Sequence, residues 1–190
     1  DRITISQEGL DGFATIGAAA GFATLVMGDA SLDLSAAKVV ATTTLSVAGS
    51  SADETVITPA AAVAATIVGS YDLKGGNDSW TGLAAGTVNV GGGNNTVTGT
   101  VLGDLLLTDG KGASTTTDGS NVVLGAVTDA ALGTVGQTVT GGAGNDTMIG
   151  VFVGAQNMGT GNASITGVAT VGSGLTTNTG AALGSGNDTF

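Results

Sequence analysis

The residues of this chain with the clearest chemical pattern are aspartates and asparagines that follow short runs of glycine. Carboxylate and amide oxygens beside turn carbonyls are the ligands that hard cations such as Ca²⁺ prefer. One pattern recurs five times, as KGGNDSWTG from Lys74, GGGNNTVTG from Gly91, GAGNDTMIG from Gly142, GTGNASITG from Gly159 and GSGNDTF from Gly184. The pattern therefore predicts a series of oxygen-rich turns.

A second chemistry fits the same residues. Stacked asparagines can hydrogen-bond along a repeat array without any metal. Every copy has an asparagine at one position, and the predicted ladder consists of Asn77, Asn94, Asn145, Asn162 and Asn187. Each copy also contains Asn-x-Ser/Thr, the N-glycosylation acceptor, which we interpret as a coincidence. Calcium binding and a metal-free ladder both remain open from the residues alone.

Composition argues against most other chemistry. The chain has no cysteine and no histidine, which removes disulfides, thiolates and the commonest general base. The lone arginine, Arg2, and the two glutamates, Glu8 and Glu54, form no catalytic cluster. A formal net charge of −11 argues against phosphate contacts. We therefore expect neither enzymatic activity nor a nucleic-acid partner.

The spacing of the copies indicates how they are positioned. The step from Gly142 to Gly159 equals the step from Lys74 to Gly91, and the step from Gly91 to Gly142 is three times as long. We predict a coil of about 17 residues with some longer coils. Fainter copies begin at Val26 and Ser50, and between Thr98 and Gly141 the pattern survives only in GKGAS from Gly110 and GSNVV from Gly119.

The composition also predicts the fold class. The chain has 35 glycines and one proline, which favours many tight turns joined by short strands. The predicted fold is all-β, a parallel β-solenoid (β-helix or β-roll) with Gly-rich turns. The apolar residue after each turn should point inward from a strand, and these residues are Trp80, Val97, Met148, Ile165 and Phe190. We expect one segment of a longer chain, with Ala/Val-rich coils over 1–70, Gly-Asn-Asp turns over 71–190 and no transmembrane segment.

The segment GGAGNDTMI from Gly141 resembles the nonapeptide G-G-x-G-x-D-x-U-x of the repeats-in-toxin, or hemolysin-type, calcium-binding family. The other copies match less fully, because Asn95 and Ala163 stand where that family has aspartate. The resemblance implies a β-roll with calcium bound in its turns, more weakly than in the family's regular arrays. It implies as metal ligands the carboxylates and turn carbonyls of Asp146, Asp78, Asp188, Gly142, Gly144, Gly75 and Gly186.

The Thr/Ala/Gly/Val-rich composition is similar to that of bacterial surface-layer and extracellular filament proteins. This resemblance implies a secreted, cell-surface protein that associates with itself as a homo-oligomer or polymer. The alternative is a calcium-stabilised binding or extender segment of a large adhesin, with a cell-surface glycan as a possible ligand. An ice-binding solenoid is less favoured, because its regular threonine ladder is not matched by the isolated TTT strings at Thr42 and Thr115.

Overall fold

A computed structural model of the chain describes residues 2–12, 22–36, 44–58, 70–84, 86–108, 119–127, 138–170, 181–182 and 186–189. A helix in these ranges, α1, spans Gln7–Asp11. The strands are β1 Arg2–Ile5, β2 Phe22–Met27, β3 Ser31–Asp33, β4 Thr44–Ala48, β5 Thr55–Ile57, β6 Tyr71–Asp72, β7 Ser79–Ala84, β8 Val88–Asn89, β9 Thr96–Val101, β10 Leu105–Leu106, β11 Val122–Val127, β12 Thr138–Thr140, β13 Thr147–Val153, β14 Ala155–Asn157, β15 Ser164–Thr170 and β16 Ala181–Ala182.

The strands form two parallel sheets. A nine-stranded sheet has the order β1-β2-β4-β6-β8-β10-β12-β14-β16, and a seven-stranded sheet has the order β15-β13-β11-β9-β7-β5-β3. From β2 onward the chain alternates between the sheets, so each coil adds one strand to each of them. The predicted all-β, parallel character is confirmed.

Strand register gives the length of each coil. Ser79 lies opposite Thr96, so the coil that joins them has 17 residues, as predicted. Thr96 lies opposite Val122, and Val122 lies opposite Thr147, so the long interval between these motif copies contains two coils, of 26 and 25 residues. The interpretation of this interval as three short coils is wrong. Strand pairing preserves register, whereas the connections between strands can lengthen without disturbing it.

The fainter copies also take part in the stack. Ser31 lies opposite Thr55, and Thr55 lies opposite Ser79. These steps give the spacing of 24 residues that the sequence predicts for the copies at Val26 and Ser50. The segment from Gly110 and both TTT strings lie outside the described residues.

The core lies between the two sheets. The second residue of each strand in the seven-stranded sheet is buried, and this row contains Leu32, Val56, Trp80, Val97, Val123, Met148 and Ile165. The inward placement of the apolar motif residues is thus confirmed at four positions, while Phe190 lies outside the described residues. Tyr71 of the nine-stranded sheet packs edge-on against Trp80, with ring centroids 5.8 Å apart. Burying side chains of this size stabilises the fold by roughly 1.5–3 kcal/mol each.

A row of glycines crosses the seven-stranded sheet. The last glycine of each complete motif copy stands in this row, which contains Gly82, Gly99, Gly125, Gly150 and Gly167. Gly125 has φ +146°, and a Cβ there would lie 1.9 Å from the carbonyl oxygen of Gly99. Only glycine allows this backbone and this approach of neighbouring coils. The sequence analysis assigned no role to this row, although its constant place in the motif is visible in the sequence.

Candidate functional site

The Gly-rich turns lie in register along one edge of the stack. Each turn connects a strand of the nine-stranded sheet to the next strand of the seven-stranded sheet, as residues 73–78 connect β6 to β7 and residues 90–95 connect β8 to β9. Because the strands that follow them are paired in register, equivalent turn residues stack from coil to coil. We call this edge of the molecule the turn edge.

An outer ladder runs along the turn edge. It contains Asp53, Asn77, Asn94, Ser120, Asn145, Asn162 and Asn187, of which the five asparagines are those singled out in the sequence. In each step, a side-chain oxygen of one coil accepts a hydrogen bond from the backbone N–H of the next coil. Asn94 N donates to Asn77 Oδ1 at 2.9 Å, and Asn187 N donates to Asn162 Oδ1 at 2.8 Å. The other steps measure 2.7, 2.8, 3.2 and 2.9 Å.

An inner ladder lies one residue further along each turn and runs in the opposite direction. Its members are Glu54, Asp78, Asn95, Asn121, Asp146, Ala163 and Asp188. Here the backbone N–H of one coil donates to the side chain of the next coil. Asp78 N reaches Asn95 Oδ1 at 2.8 Å, and Asn121 N reaches Asp146 Oδ1 at 3.1 Å. Ala163 has no side-chain acceptor, so the side-chain bond of the inner ladder cannot form at the step between Asp146 and Ala163.

Two inner residues, Asn95 and Asn121, use their amide groups as donors. Asn95 Nδ2 donates to the carbonyls of Gly91 and Gly93 at 3.3 and 3.2 Å and to Asn121 Oδ1 at 3.0 Å. Asn121 Nδ2 donates to Gly119 O at 3.2 Å and to Asp146 Oδ1 at 2.9 Å. Since Oδ1 of Asn95 accepts from the backbone N–H of Asp78, the orientation of that amide is set by an unambiguous donor.

The inner ladder carries carboxylates at Glu54 and Asp78. Both are buried, with 3% and 2% of their surface exposed. Glu54 Oε1 accepts from the N–H and hydroxyl of Ser50, and Asp78 Oδ1 accepts from Glu54 N at 2.9 Å. Among the described residues, no hydrogen-bond donor reaches Glu54 Oε2 or Asp78 Oδ2. Burial raises the pKa of Asp78 to about 6; the Glu54 N–H opposes that rise, and the charges of Glu54 and Asp53 add to it.

Asp146, in the motif copy that most resembles the repeats-in-toxin nonapeptide, is also buried. Its Oδ1 accepts two hydrogen bonds from Asn121, and its Oδ2 lies 2.6 Å from the place that a Cβ on Gly141 would take. The carbonyl of Gly142 accepts from Thr160 N at 2.9 Å. The carbonyl of Gly144 approaches Gly161 of the next coil so closely that a Cβ there would lie 2.1 Å from it.

The remaining predicted ligands lie in the same line of turns. Asp188 is half-buried, and its Oδ1 accepts from Ala163 N at 2.9 Å. Gly186, in the same turn, is exposed and packs against the carbonyl of Gly161. Gly75 forms a parallel bridge with Gly92. The structure thus places all seven predicted ligands along the turn edge but distributes them over separate coils.

The turns differ in how well they fit calcium, which takes six to eight oxygen ligands. At Asn95 and Asn121 an NH₂ group faces the oxygens that a cation would bind, so these two turns do not fit. At Glu54 and Asp78 two buried oxygens lack donors, and a cation fits their charge. Within the described parts of the chain, no three acidic side chains come close enough together to form a metal centre.

Sequence reasoning missed four ladder members: Asp53, Glu54, Ser120 and Asn121. Each lies in a copy that lacks the double-glycine turn, so the pattern was weak there. The signal for Asp53 and Glu54 was the even spacing of the faint copies ahead of the first clear one. For Ser120 and Asn121 it was the string GSNVV before an apolar residue.

Comparison of the chain with protein-family models, with curated proteins and with solved structures found no match. No helix among the described residues has the length and apolar character needed to span a bilayer. The strand topology and the ladders define an all-β chain of two parallel sheets with a hydrogen-bonded turn edge.

Proposed function

We propose that this chain is a closed parallel β-solenoid that serves as a structural, self-associating component of an extracellular bacterial surface assembly. The observation that carries the proposal is the pair of ladders. The motif residues bond to the backbone of neighbouring coils, so the most conspicuous polar residues of the sequence are used to hold the stack together. This use is that of a scaffold.

Composition supports the same proposal. The chain contains neither histidine nor cysteine, and its four basic residues are spread over positions 2, 38, 74 and 111. The abundance of Thr, Ala, Gly and Val is similar to that of surface-layer and filament proteins. Location outside the cell and absence of enzymatic activity are parts of this proposal.

Calcium has a restricted place in the proposal. It would bind at the carboxylate-bearing turns of Asp78, Asp146 and Asp188, in keeping with the repeats-in-toxin resemblance. When bound at Asp78, it would neutralise a carboxylate that burial makes costly to ionise. The Asn95 and Asn121 turns would stay metal-free. The expected assembly is therefore strengthened by calcium without depending on it at every coil.

The test is the assembly state of the full chain with calcium and with a chelator. Electron microscopy and light scattering should detect filaments or sheets that grow with protein concentration and are more stable with calcium. A chain that stays monomeric in both conditions would refute the proposal. Monomers that bind a cell-surface glycan on an array would favour the adhesin function instead.

A further inference from the structure

The outer face of the seven-stranded sheet carries an exposed apolar patch. Leu124 of β11 lies opposite Ile149 of β13, and Val151 lies two residues beyond Ile149 on the same strand. Their exposed fractions are 39%, 47% and 41%. Ile3 is the other large apolar side chain that is exposed among the described residues. The patch therefore contains three of the four large apolar side chains that are exposed among the described residues.

The same face lacks charge over the five strands from β7 to β15, although Asp33 stands in β3 at the far end of the sheet. The sequences of β7, β9, β11, β13 and β15 contain no acidic or basic residue, in a chain whose net charge is −11. The outward row of the nine-stranded sheet includes Asp72 and Asn89, joined by a hydrogen bond of 3.2 Å. Two copies repel wherever their acidic surfaces meet. The uncharged face is the surface on which they can approach each other at least electrostatic cost.

The first strand of the seven-stranded sheet is already engaged at its edge. Asp33 N in β3 donates to Gln7 Oε1 at 2.6 Å, and Gln7 Nε2 donates to Asp33 O at 3.4 Å. Gln7 begins α1, which Ser6 caps by accepting from Gly9 N and which buries Leu10. An added strand from another copy would have to displace these bonds, so end-to-end pairing at this strand is disfavoured.

We infer that copies of this chain associate laterally, by packing the outer faces of their seven-stranded sheets against each other around Leu124, Ile149 and Val151. The occupant of the patch is a second copy, because an uncharged apolar face on a strongly acidic chain is self-complementary. This inference rests on the proposed self-association and specifies its surface.

The area of the face indicates how strongly two copies should associate. Five strands about 4.8 Å apart and six residues long at about 3.3 Å each cover roughly 480 Å² per copy. A stable soluble complex buries about 800 Å² per partner. The contact is therefore expected to be reversible in a pair of copies and to become durable only where many copies lie side by side.

Disulfide trapping tests the inference, because the chain has no cysteine of its own. Full chains carrying Ile149→Cys or Val151→Cys should form disulfide-linked dimers under a mild oxidant, increasingly so at higher protein concentration. The matched control is Leu106→Cys, in the outward row of the nine-stranded sheet between Asn89 and Thr140. It should give at least fivefold less dimer. Circular dichroism should show the same fold for all three.

Sedimentation of the unmodified chain, run in parallel, separates the two proposals. If the unmodified chain associates but the cysteines at 149 and 151 link no better than Cys at 106, the lateral inference is wrong and self-association stands. If the unmodified chain stays monomeric at every concentration, both are wrong. A Leu124→Thr, Ile149→Thr double variant should weaken association at least tenfold, whereas Leu106→Thr should leave it unchanged.

Discussion

Asparagine and carboxylate side chains satisfy the hydrogen bonds of the inner ladder in two different ways. At Asn95 and Asn121, amide groups accept a backbone N–H from one side and donate to turn carbonyls and the next side chain on the other. At Asp78 a carboxylate accepts the equivalent bond from Glu54 N, whereas the Glu54 carboxylate accepts from Ser50 of its own coil. One buried oxygen of each carboxylate has no donor among the described residues.

The difference shows that one group, the NH₂ of asparagine or the second oxygen of a carboxylate, decides whether the polar atoms of a turn are all hydrogen-bonded within the chain. The NH₂ group of asparagine completes the turn by itself, whereas the second oxygen of a carboxylate needs a proton or a cation. A buried carboxylate is costly unless it is compensated. Along the described turns, any demand for metal or protons is therefore local to the coils whose inner-ladder residue is a carboxylate.

Both kinds of turn depend on the same glycine geometry, and breaking that geometry should have the largest effect. Gly76 has φ +124°, and a Cβ there would lie 2.2 Å from the carbonyl oxygen of Ala52. Gly76→Ala should lower the free energy of unfolding by about 3 kcal/mol or more. At the adjacent Gly75 the nearest atom would be 3.9 Å away, so Gly75→Ala should cost less than about 1 kcal/mol. Equal losses in denaturant titrations would contradict this account of the turn.

Converting an amide coil into a carboxylate coil should have the next largest effect. Asn95→Asp would place an oxygen against the carbonyls of Gly91 and Gly93 and against Asn121 Oδ1, all of which now accept from Nδ2. A loss of about 3 kcal/mol at neutral pH is expected, with partial recovery in acid. Asn94→Asp, on the exposed outer ladder, keeps its acceptor for Ser120 N and should cost less than about 1 kcal/mol. An Asn95→Asp variant as stable as the parent would show that another group compensates the carboxylate.

The reverse exchange, Asp78→Asn, should stabilise the chain at neutral pH without calcium. The new Nδ2 could donate to the carbonyls of Lys74 and Gly76, which correspond in register to those of Gly91 and Gly93. The expected gain in melting experiments is about 1–3 kcal/mol, since the pKa of Asp78 is raised to about 6. Asp72→Asn removes a charge from a half-exposed site in the same coil and should change stability by less than about 0.5 kcal/mol. Any stabilising effect of calcium should be smaller in Asp78→Asn than in the parent.

The pH dependence of stability should also distinguish the carboxylate coils from the asparagine coils. The pKa of Asp78 is raised by burial from 3.8 to about 6, so the folded chain binds a proton more tightly than the unfolded chain between these values. The contribution of Asp78 to stability is therefore full below about pH 4 and is lost as pH rises through about 6. Unfolding experiments across pH 4 to 7 should show this loss of stability with rising pH in the parent and not in Asp78→Asn. A parallel pH profile for both chains would rule out Asp78 as its source.

Much of the arrangement is predictable from the sequence because stacking makes local spacing informative. Repeated Gly-Asn-Asp turns predict parallel strands, and the alternation after each turn places Trp80, Val97, Met148 and Ile165 inside. The interval between Gly91 and Gly142 was misinterpreted because a coil can absorb extra residues in its connections. Asn121 was overlooked for the same reason, since its turn is reached by a long connection instead of a glycine pair.

In the five clear motif copies, the residue types at the ladder positions can be read directly from the sequence, since each copy carries its own turn. Which coils are neighbours, and which side chains therefore face each other, follows from the way the coils stack in three dimensions. Asp78 meets Asn95 across 17 residues, while Asn121 meets Asp146 across 25. The physical reason is that a ladder bond joins adjacent coils, and its chemistry depends on two residues whose separation is set by the connections between them.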